Sequence, residues 1–246
     1  MLENMKESLL YALSRRYRLS HTTDLHSHLI PNIDDGLSDL QQSIAIIKQL
    51  KIIGFNKIIT TPHIMSHRYA NTKEIINAGY ELVKKELMQQ KIDIEIEYAA
   101  EYYYDEHFLE LINKKELLTF GDNYVLFELS YISKPFMLEA TVKRMIEMGY
   151  KPILAHPERY TYYEKASDYE ALKMMGLHLQ INLNSTQGFY GKKVKNAVDK
   201  IVNLGIVDFI GSDIHSQRYM DSFYKSIQCE YYLEIFKKNK IKNNYL

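Results

Sequence analysis

The chain has 246 residues, 46% of them hydrophobic and 25% charged, and its 31 Lys+Arg balance its 31 Asp+Glu. That composition fits one soluble globular domain with a sizeable core, and the zero formal charge argues against nucleic acid or an anionic membrane surface as partner. Cys229 is the only cysteine, which excludes a disulfide framework and points to a reducing, cytoplasmic compartment.

Residues 1–20 read as an N-terminal helical arm. Leu9, Leu10, Tyr11 and Leu13 form one apolar face, suited to a lid, a dimer contact or a barrel plug. The arm lacks the long apolar core of a secretory signal. No stretch of the chain approaches the roughly 20 apolar residues of a membrane span, so no membrane insertion is expected. Residues 21–246 read as the globular domain, in which short apolar runs alternate with amphipathic stretches. Strands are expected at 22–25, 57–60, 93–99, 124–129, 152–155, 178–182 and 207–210, all rich in Ile, Val, Leu and Tyr as buried parallel strands are. The first helix is marked by a Ser38/Gln41 capping box, a stripe of Leu40, Ile44, Ile47 and Leu50, and a stop at Gly54. Further helices are expected at 72–90, 135–148, 168–175, 192–204 and 219–238, with Gly149, Gly176 and Gly205 as C-terminal stops. This alternation implies a parallel sheet, either open and doubly wound or closed into a barrel. No glycine-rich nucleotide loop follows any strand, which weighs against the open form.

Polar residues decide the chemistry. The first strand ends in Asp24-Leu25-His26-Ser27-His28, and residues two apart in extended chain point to the same side, so His26 and His28 reach one ion together. Asp34-Asp35-Gly36 follows. Later strands run into Pro62-His63, into Glu101, into His156-Pro157-Glu158-Arg159 and into Asp213-Ile214-His215. A lone histidine is more often a core or capping residue, and His21, His67, His107 and His178 are read that way. Ligand-type residues after five of seven strands are not explained so simply. The C-terminal ends of barrel strands converge on one face, and His, Asp and Glu suit Mn²⁺, Fe or Zn²⁺. Five histidines and three carboxylates exceed the needs of one ion, so two or three bridged ions are expected.

The ordered series HSH, DDG, TPH, AE, HPERY and SDIH resembles the polymerase-and-histidinol-phosphatase (PHP) superfamily. DLHSHLIPNIDDG, ITTPHIM, AAEYYYD, AHPERY and GSDIH are closer still to its bacterial manganese-dependent protein tyrosine phosphatases, over residues 22–218. The resemblance implies an α/β fold, a distorted (β/α)₇ TIM-like barrel, and three divalent ions, Mn²⁺ first and Fe or Zn²⁺ as alternatives. It assigns His26, His28, Glu101 and Asp213 to one ion. Glu101 bridges to a second, held with His63 and His156, and Asp35 and His215 complete a third beside His63. Of the adjacent aspartates the resemblance assigns Asp35 and sets Asp34 aside. The implied substrate is a phosphotyrosine protein, namely a bacterial tyrosine kinase that regulates capsule or exopolysaccharide synthesis.

On this reading a metal-bound hydroxide attacks phosphorus in line. Arg159 clamps the phosphate with its planar fork, and His215 protonates the leaving group, with Asp213 beside it. The family's second arginine follows its last D-x-H motif. Arg218 is the nearest match, at a shorter spacing from His215 than the family's. Tyr103, Tyr104 and Tyr160 are candidates to stack on the phosphotyrosine ring. Cys229 plays no part in catalysis, because a thiol phosphatase needs a C-x₅-R loop and position 235 is Ile. Competing readings are a histidinol-phosphate or other small phosphomonoester phosphatase, an amidohydrolase, and a metal-stabilised binding module without activity.

Overall fold

The computed structural model describes residues 19–246. The apolar face expected for the N-terminal arm lies outside them.

The strands are β1 (Thr23–Asp24), β2 (Lys57–Thr60), β3 (His63–Ile64), β4 (Glu95–Tyr98), β5 (Glu101–Tyr103), β6 (Tyr124–Glu128), β7 (Lys151–Ala155), β8 (His178–Asn182) and β9 (Phe209–Gly211). All pair in parallel, in two sheets of order β1-β2-β4 and β3-β5-β6-β7-β8-β9. Two of the expected strands, β2 and β4, are each followed by a short further strand, β3 and β5. Pro62, which has no N–H to give, separates β2 from β3, and Ala99-Ala100 separates β4 from β5. Hydrogen bonds carry across both breaks: Ala99 N–H reaches the Thr60 carbonyl at 2.9 Å and Glu101 N–H reaches the Pro62 carbonyl at 3.0 Å.

The helices are α1 (Leu40–Ile53), α2 (Lys73–Gln89), α3 (Glu106–Lys114), α4 (Leu138–Glu147), α5 (Ala166–Met174), α6 (Lys192–Asn203), α7 (Gln217–Ile227) and α8 (Glu230–Lys238). Asp39, one residue after Ser38, caps α1 by accepting from Gln42 N–H. Gly54 ends that helix at φ 114° as expected. Helix α3 takes in His107, which the sequence places in a helix-like segment, and Asp105 caps it through Phe108 N–H. The single helix expected at 219–238 is two, with the break at Gln228-Cys229 and Cys229 at the α8 N-cap. Among the described residues no helix is long and apolar enough to cross a membrane.

The strands bury side chains on both faces, as parallel sheets do. Leu25, Ile59, Leu126, Ile153 and Phe209 form a small cluster of their own, while a much larger one fills the space between strands and helices. The two termini of the described fold meet: Asn243 accepts from Ile210 N–H and donates to the Thr23 carbonyl. At the C-terminal ends of β1 and β9 the chain is tied twice. Ser212 donates its N–H and hydroxyl to Asp24, at 3.0 and 2.7 Å, and Ser27 bridges to Ile214 in parallel.

Candidate metal centre

The residues that follow the strands converge. His26 and His28 leave β1 fully buried, and Gly36 passes so close that a Cβ there would lie 2.4 Å from the His28 carbonyl oxygen. Gly211 at the end of β9 leaves similar room, since a Cβ there would lie 2.7 Å from that of His26. His156 after β7 and Asp213 after β9 both take left-handed backbone, at φ 35° and 50°. Such backbone is costly for residues other than glycine and recurs at functional sites.

Glu101 lies at the centre. Its Oε2 is 3.1 Å from His26 Nε2, 3.3 Å from His28 Nε2 and 3.3 Å from His63 Nδ1, and its Oε1 is 3.0 Å from His156 Nε2. Asp213 Oδ1 is 3.4 Å from His26 Nε2 and 3.4 Å from His215 Nδ1. Asp35 Oδ1 is 3.5 Å from both His63 Nε2 and His215 Nε2. Each of the eight expected ligands thus lies within ion-pair distance of at least one other.

Glu128, the last residue of β6, is a member that the sequence reading passed over. Its Oε1 is 3.5 Å from His63 Nδ1 and its Oε2 is 3.8 Å from His156 Nε2. The missed signal was simple: a carboxylate at the C-terminal end of the fourth expected strand. Asp34, set aside in favour of Asp35, takes the supporting place. It accepts from His28 Nδ1 at 2.8 Å and from His63 N–H at 3.0 Å. Gln180 Oε1 does the same for His26 Nδ1 at 2.9 Å. Partners of this kind fix the ring and leave the other nitrogen to face an ion.

Among the described residues three compact groups of potential metal ligands result: His26, His28 and Glu101; His63, Glu101 and Glu128; and His28, Asp35, His63 and His215. Any two of them share one residue, so ions in these groups would be bridged neighbours. The donor chemistry fits divalent cations. Glu101 Oε2 and His63 Nδ1 are buried without a hydrogen-bond partner among the described residues, the state expected of atoms that serve a metal.

The electrostatics point the same way. Burial disfavours charge on every one of these groups. At His26 the neighbouring Glu101 and Asp213 outweigh burial and raise the pKa to about 9. At His63 and His156 burial prevails and both fall to about 4. Glu101 resists its burial because His26 and His63 hold it well below the usual carboxylate range. Glu128 is pushed well above that range by burial and by Glu101 beside it. A divalent cation among these groups would favour the ionised form of both buried carboxylates.

Above the cluster opens a cleft of about 290 Å³, lined among others by Tyr69, Tyr103, Tyr131, Tyr219, Arg68 and Arg159. Arg159 donates to Asp213 Oδ2 at 3.2 Å, and its guanidinium lies between the rings of Tyr131 and Tyr190, 4.8 and 4.5 Å from their centroids. Arg218 is not among the cleft-lining residues; its guanidinium covers Phe189 at 5.0 Å. Arg68 lines the cleft from a tight turn closed by paired Met65–Tyr69 backbone bonds. His67, read as bland, also lines it, and so does Tyr103. Tyr160 does not: it is fully buried and donates to the Ala155 carbonyl. Tyr104 hydrogen-bonds Thr141 away from the cleft. His21 packs in the core against Phe55. Cys229 lies 2.9 Å from Gln187 Nε2 and outside the cleft.

The model of the capsular polysaccharide synthesis family CpsB/CapC matches residues 22–242. The chain belongs to the CpsB/CapC family. Among its relatives, the tyrosine-protein phosphatase CpsB of Streptococcus pneumoniae is 28% identical over 219 residues, covering 85% of this chain and 90% of the relative. The tyrosine-protein phosphatase YwqE of Bacillus subtilis is 28% identical over 195 residues, covering 78% and 77%. A crystal structure from work on YwqE and CpsB, described there as metal-dependent tyrosine phosphatases, superposes with a TM-score of 0.76 at 27% identity, covering 86% of each chain. In this CpsB/CapC member the cluster and cleft occupy the strand ends of that shared α/β fold.

Proposed function

We infer that this chain is a metal-dependent phosphatase of phosphotyrosine proteins. The observation that carries the reading is the set of three ligand groups, each pair sharing a residue, beneath a cleft that holds the half-buried Arg159 against two tyrosine rings. Its relatives are named tyrosine-protein phosphatases.

In this proposal His26, His28, Glu101 and Asp213 hold one ion, and Glu101, Glu128, His63 and His156 a second. Asp35 and His215 hold a third, with His63 between the last two groups. Mn²⁺ is the metal assigned, three ions the number. Bound divalent ions supply positive charge for the phosphate oxygens and acidify water near neutral pH. The chain supplies the rest. Arg159 turns its fork from Asp213 to the phosphate, held in plane by Tyr131 and Tyr190. Asn182 and Tyr190 keep Asp213 in place through its Oδ2, at 2.6 and 3.1 Å. His215 Nδ1 donates to the Asp213 carbonyl at 2.9 Å and lies 3.4 Å from Asp213 Oδ1, so Nε2 is the nitrogen left to hold the third ion, and the leaving tyrosine oxygen would take its proton from water at the site. Arg68 supplies the second cation of the cleft, in place of Arg218.

The barrel follows as part of the same reading. Thr61 N–H donates to the Ser27 carbonyl, Asp213 N–H to the His26 carbonyl and His28 N–H to the Ile214 carbonyl. These bonds support one distorted seven-stranded (β/α)₇ barrel, with β2–β3 and β4–β5 each a single interrupted stave. The substrate is assigned as a bacterial tyrosine kinase of capsule synthesis, in keeping with the family, and a cytoplasmic setting is assigned with it, a reading that the single cysteine supports.

The test is hydrolysis of a phosphotyrosine peptide and of p-nitrophenyl phosphate after chelation and reloading with Mn²⁺, Zn²⁺ or Mg²⁺. Both substrates are hydrolysed only after reloading. Activity indifferent to chelation would overturn the proposal.

A further inference from the structure

Eleven large hydrophobic side chains are exposed among the described residues, and four of them fall within one short loop between β6 and α4: Tyr131 at 41%, Ile132 at 93%, Phe136 at 98% and Met137 at 53%. The loop is anchored at its base and projects at its tip. Tyr131 donates to Glu128 and stacks on His156 with ring centroids 6.0 Å apart. The Ser130 carbonyl accepts from Tyr162 at 2.8 Å, and Ile132 N–H is held by Ser130 Oγ at 3.2 Å. Leu138, which starts α4, is buried. Between these fixed ends the apolar side chains of Ile132 and Phe136 point to solvent, around Pro135, whose fixed φ stiffens the turn.

Ser130, Tyr131 and Ile132 are also walls of the catalytic cleft. A cleft of about 290 Å³ accommodates little more than one phosphorylated ring. The polypeptide on either side of that ring must lie outside, across the rim. Ser130, Tyr131 and Ile132 carry the rim toward the exposed side chains of Phe136 and Met137, whereas Tyr103 at the end of β5 and His67 and Arg68 after β3 are polar or charged at their tips.

We propose that the 130–137 loop is a docking lip for the substrate polypeptide, and that it selects sequences with a large apolar residue close to the phosphotyrosine. This rests on the phosphatase reading and adds the substrate class to it. Anchored Tyr131 ties the lip to the centre, so a peptide residue seated on Phe136 and Ile132 is held in fixed relation to the phosphate. The energy comes from removing apolar surface of both partners from water.

Phe136 is outside the cleft-lining set, which makes it the position to test. Two phosphotyrosine peptides are compared, one with leucines flanking the phosphotyrosine and one with serines there, alongside p-nitrophenyl phosphate. The Mn²⁺-loaded wild type prefers the leucine peptide. Phe136→Ser raises KM for the leucine peptide about 10-fold, the scale set by burying one such side chain. The variant leaves p-nitrophenyl phosphate unchanged, and Phe136→Leu restores most of the preference. Equal use of the two peptides by wild type, or equal loss on p-nitrophenyl phosphate in Phe136→Ser, would overturn the lip. So would sedimentation with anionic phospholipid vesicles that Phe136→Ser abolishes while peptide kinetics stay unchanged, which would make the loop a lipid contact. No hydrolysis of any of the three substrates would instead overturn the phosphatase reading, and this inference with it.

Discussion

Asp34 Oδ2 accepts the Nδ1 hydrogen of His28 at 2.8 Å, and the opposite nitrogen of the same ring lies 3.3 Å from Glu101. The carboxylate therefore fixes which nitrogen of His28 faces the centre. It also raises the basicity of that nitrogen: despite complete burial, His28 is held well above the ordinary histidine range, with Asp34 the largest opposing influence. Asp34→Ala is expected to weaken metal affinity by about 10- to 100-fold, the cost of losing such a partner. Asp34→Asn, whose side-chain oxygen still accepts, is expected to lose less. Competition with a fluorescent chelator measures both. Wild-type affinity in Asp34→Ala would show that the ring needs no such hold.

Glu128 makes a prediction whose sign depends on the metal. Without ions it is a buried carboxyl beside Glu101, forced well above its usual pKa by burial and by that neighbour. With ions it is proposed to be a ligand. Glu128→Gln should therefore match or exceed the wild type in metal-free thermal stability, and fall below it when both are loaded. The wild type gains about 2.7 kcal/mol from an ion at 100 times its Kd, and the variant forgoes part of this. Metal content per chain should fall by one ion. A variant as stable as wild type in both states would remove Glu128 from the centre.

Much of this centre was legible in the sequence, for a definite reason. The positions of His26, His28, His63, Glu101, His156, Asp213 and His215 follow from one rule, that parallel strands end on a common face. Glu128 obeys the same rule and was missed because no second ligand-type residue stands near it in the chain. The choice between Asp34 and Asp35 is a matter of rotamer and distance, which adjacent identical residues do not encode. Helix breaks escaped for a related reason: the segment from α7 to α8 has no glycine or proline to mark its turn at Cys229. The break between β2 and β3 is marked by Pro62, a residue without an N–H, but only the neighbouring strands show that the chain resumes as β3 beyond it.

At the opposite end of the strands, Asp208 predicts an acid-sensitive term in stability. Its carboxylate accepts from Leu179 N–H at 2.9 Å and from Lys242 at 2.8 Å, pairs with Lys173, and lies 3.2 Å from His178 Nδ1. Burial alone would raise its pKa, but the bonds from His178, Lys173 and Lys242 prevail and hold it below the usual 3.8. The folded form thus binds the proton less readily than the unfolded chain. The resulting stabilisation is present above about pH 4 and is lost as the pH falls below it. Asp208→Asn should cost about 2 kcal/mol at pH 7, since it leaves partly buried cations without their partner. At pH 3 the gap to wild type should shrink. Urea melts at pH 7, 4 and 3 measure it, and a gap constant with pH would exclude the ionised carboxylate as its source.

Arg68 and Arg218, the two candidates for a second phosphate contact, separate by position. Arg68 lines the cleft, its guanidinium 5.0 Å above the Tyr69 ring, and that ring in turn stacks on His63 at 5.7 Å and 10°. Arg218 covers Phe189 instead. A cation that reaches a dianionic phosphate strengthens binding and stabilises charge on the transferring group, and its removal costs roughly 10- to 100-fold in kcat/KM at a partly exposed position. Arg68→Ala should show that loss on p-nitrophenyl phosphate as well as on peptides, since the phosphate is common to both. Arg68→Lys should recover part of it, because the charge remains while the planar fork is lost. Arg218→Ala should stay within about 2-fold of wild type on every substrate. The reverse ranking would return the second phosphate contact to Arg218, and would require α7 to approach the cleft when substrate binds.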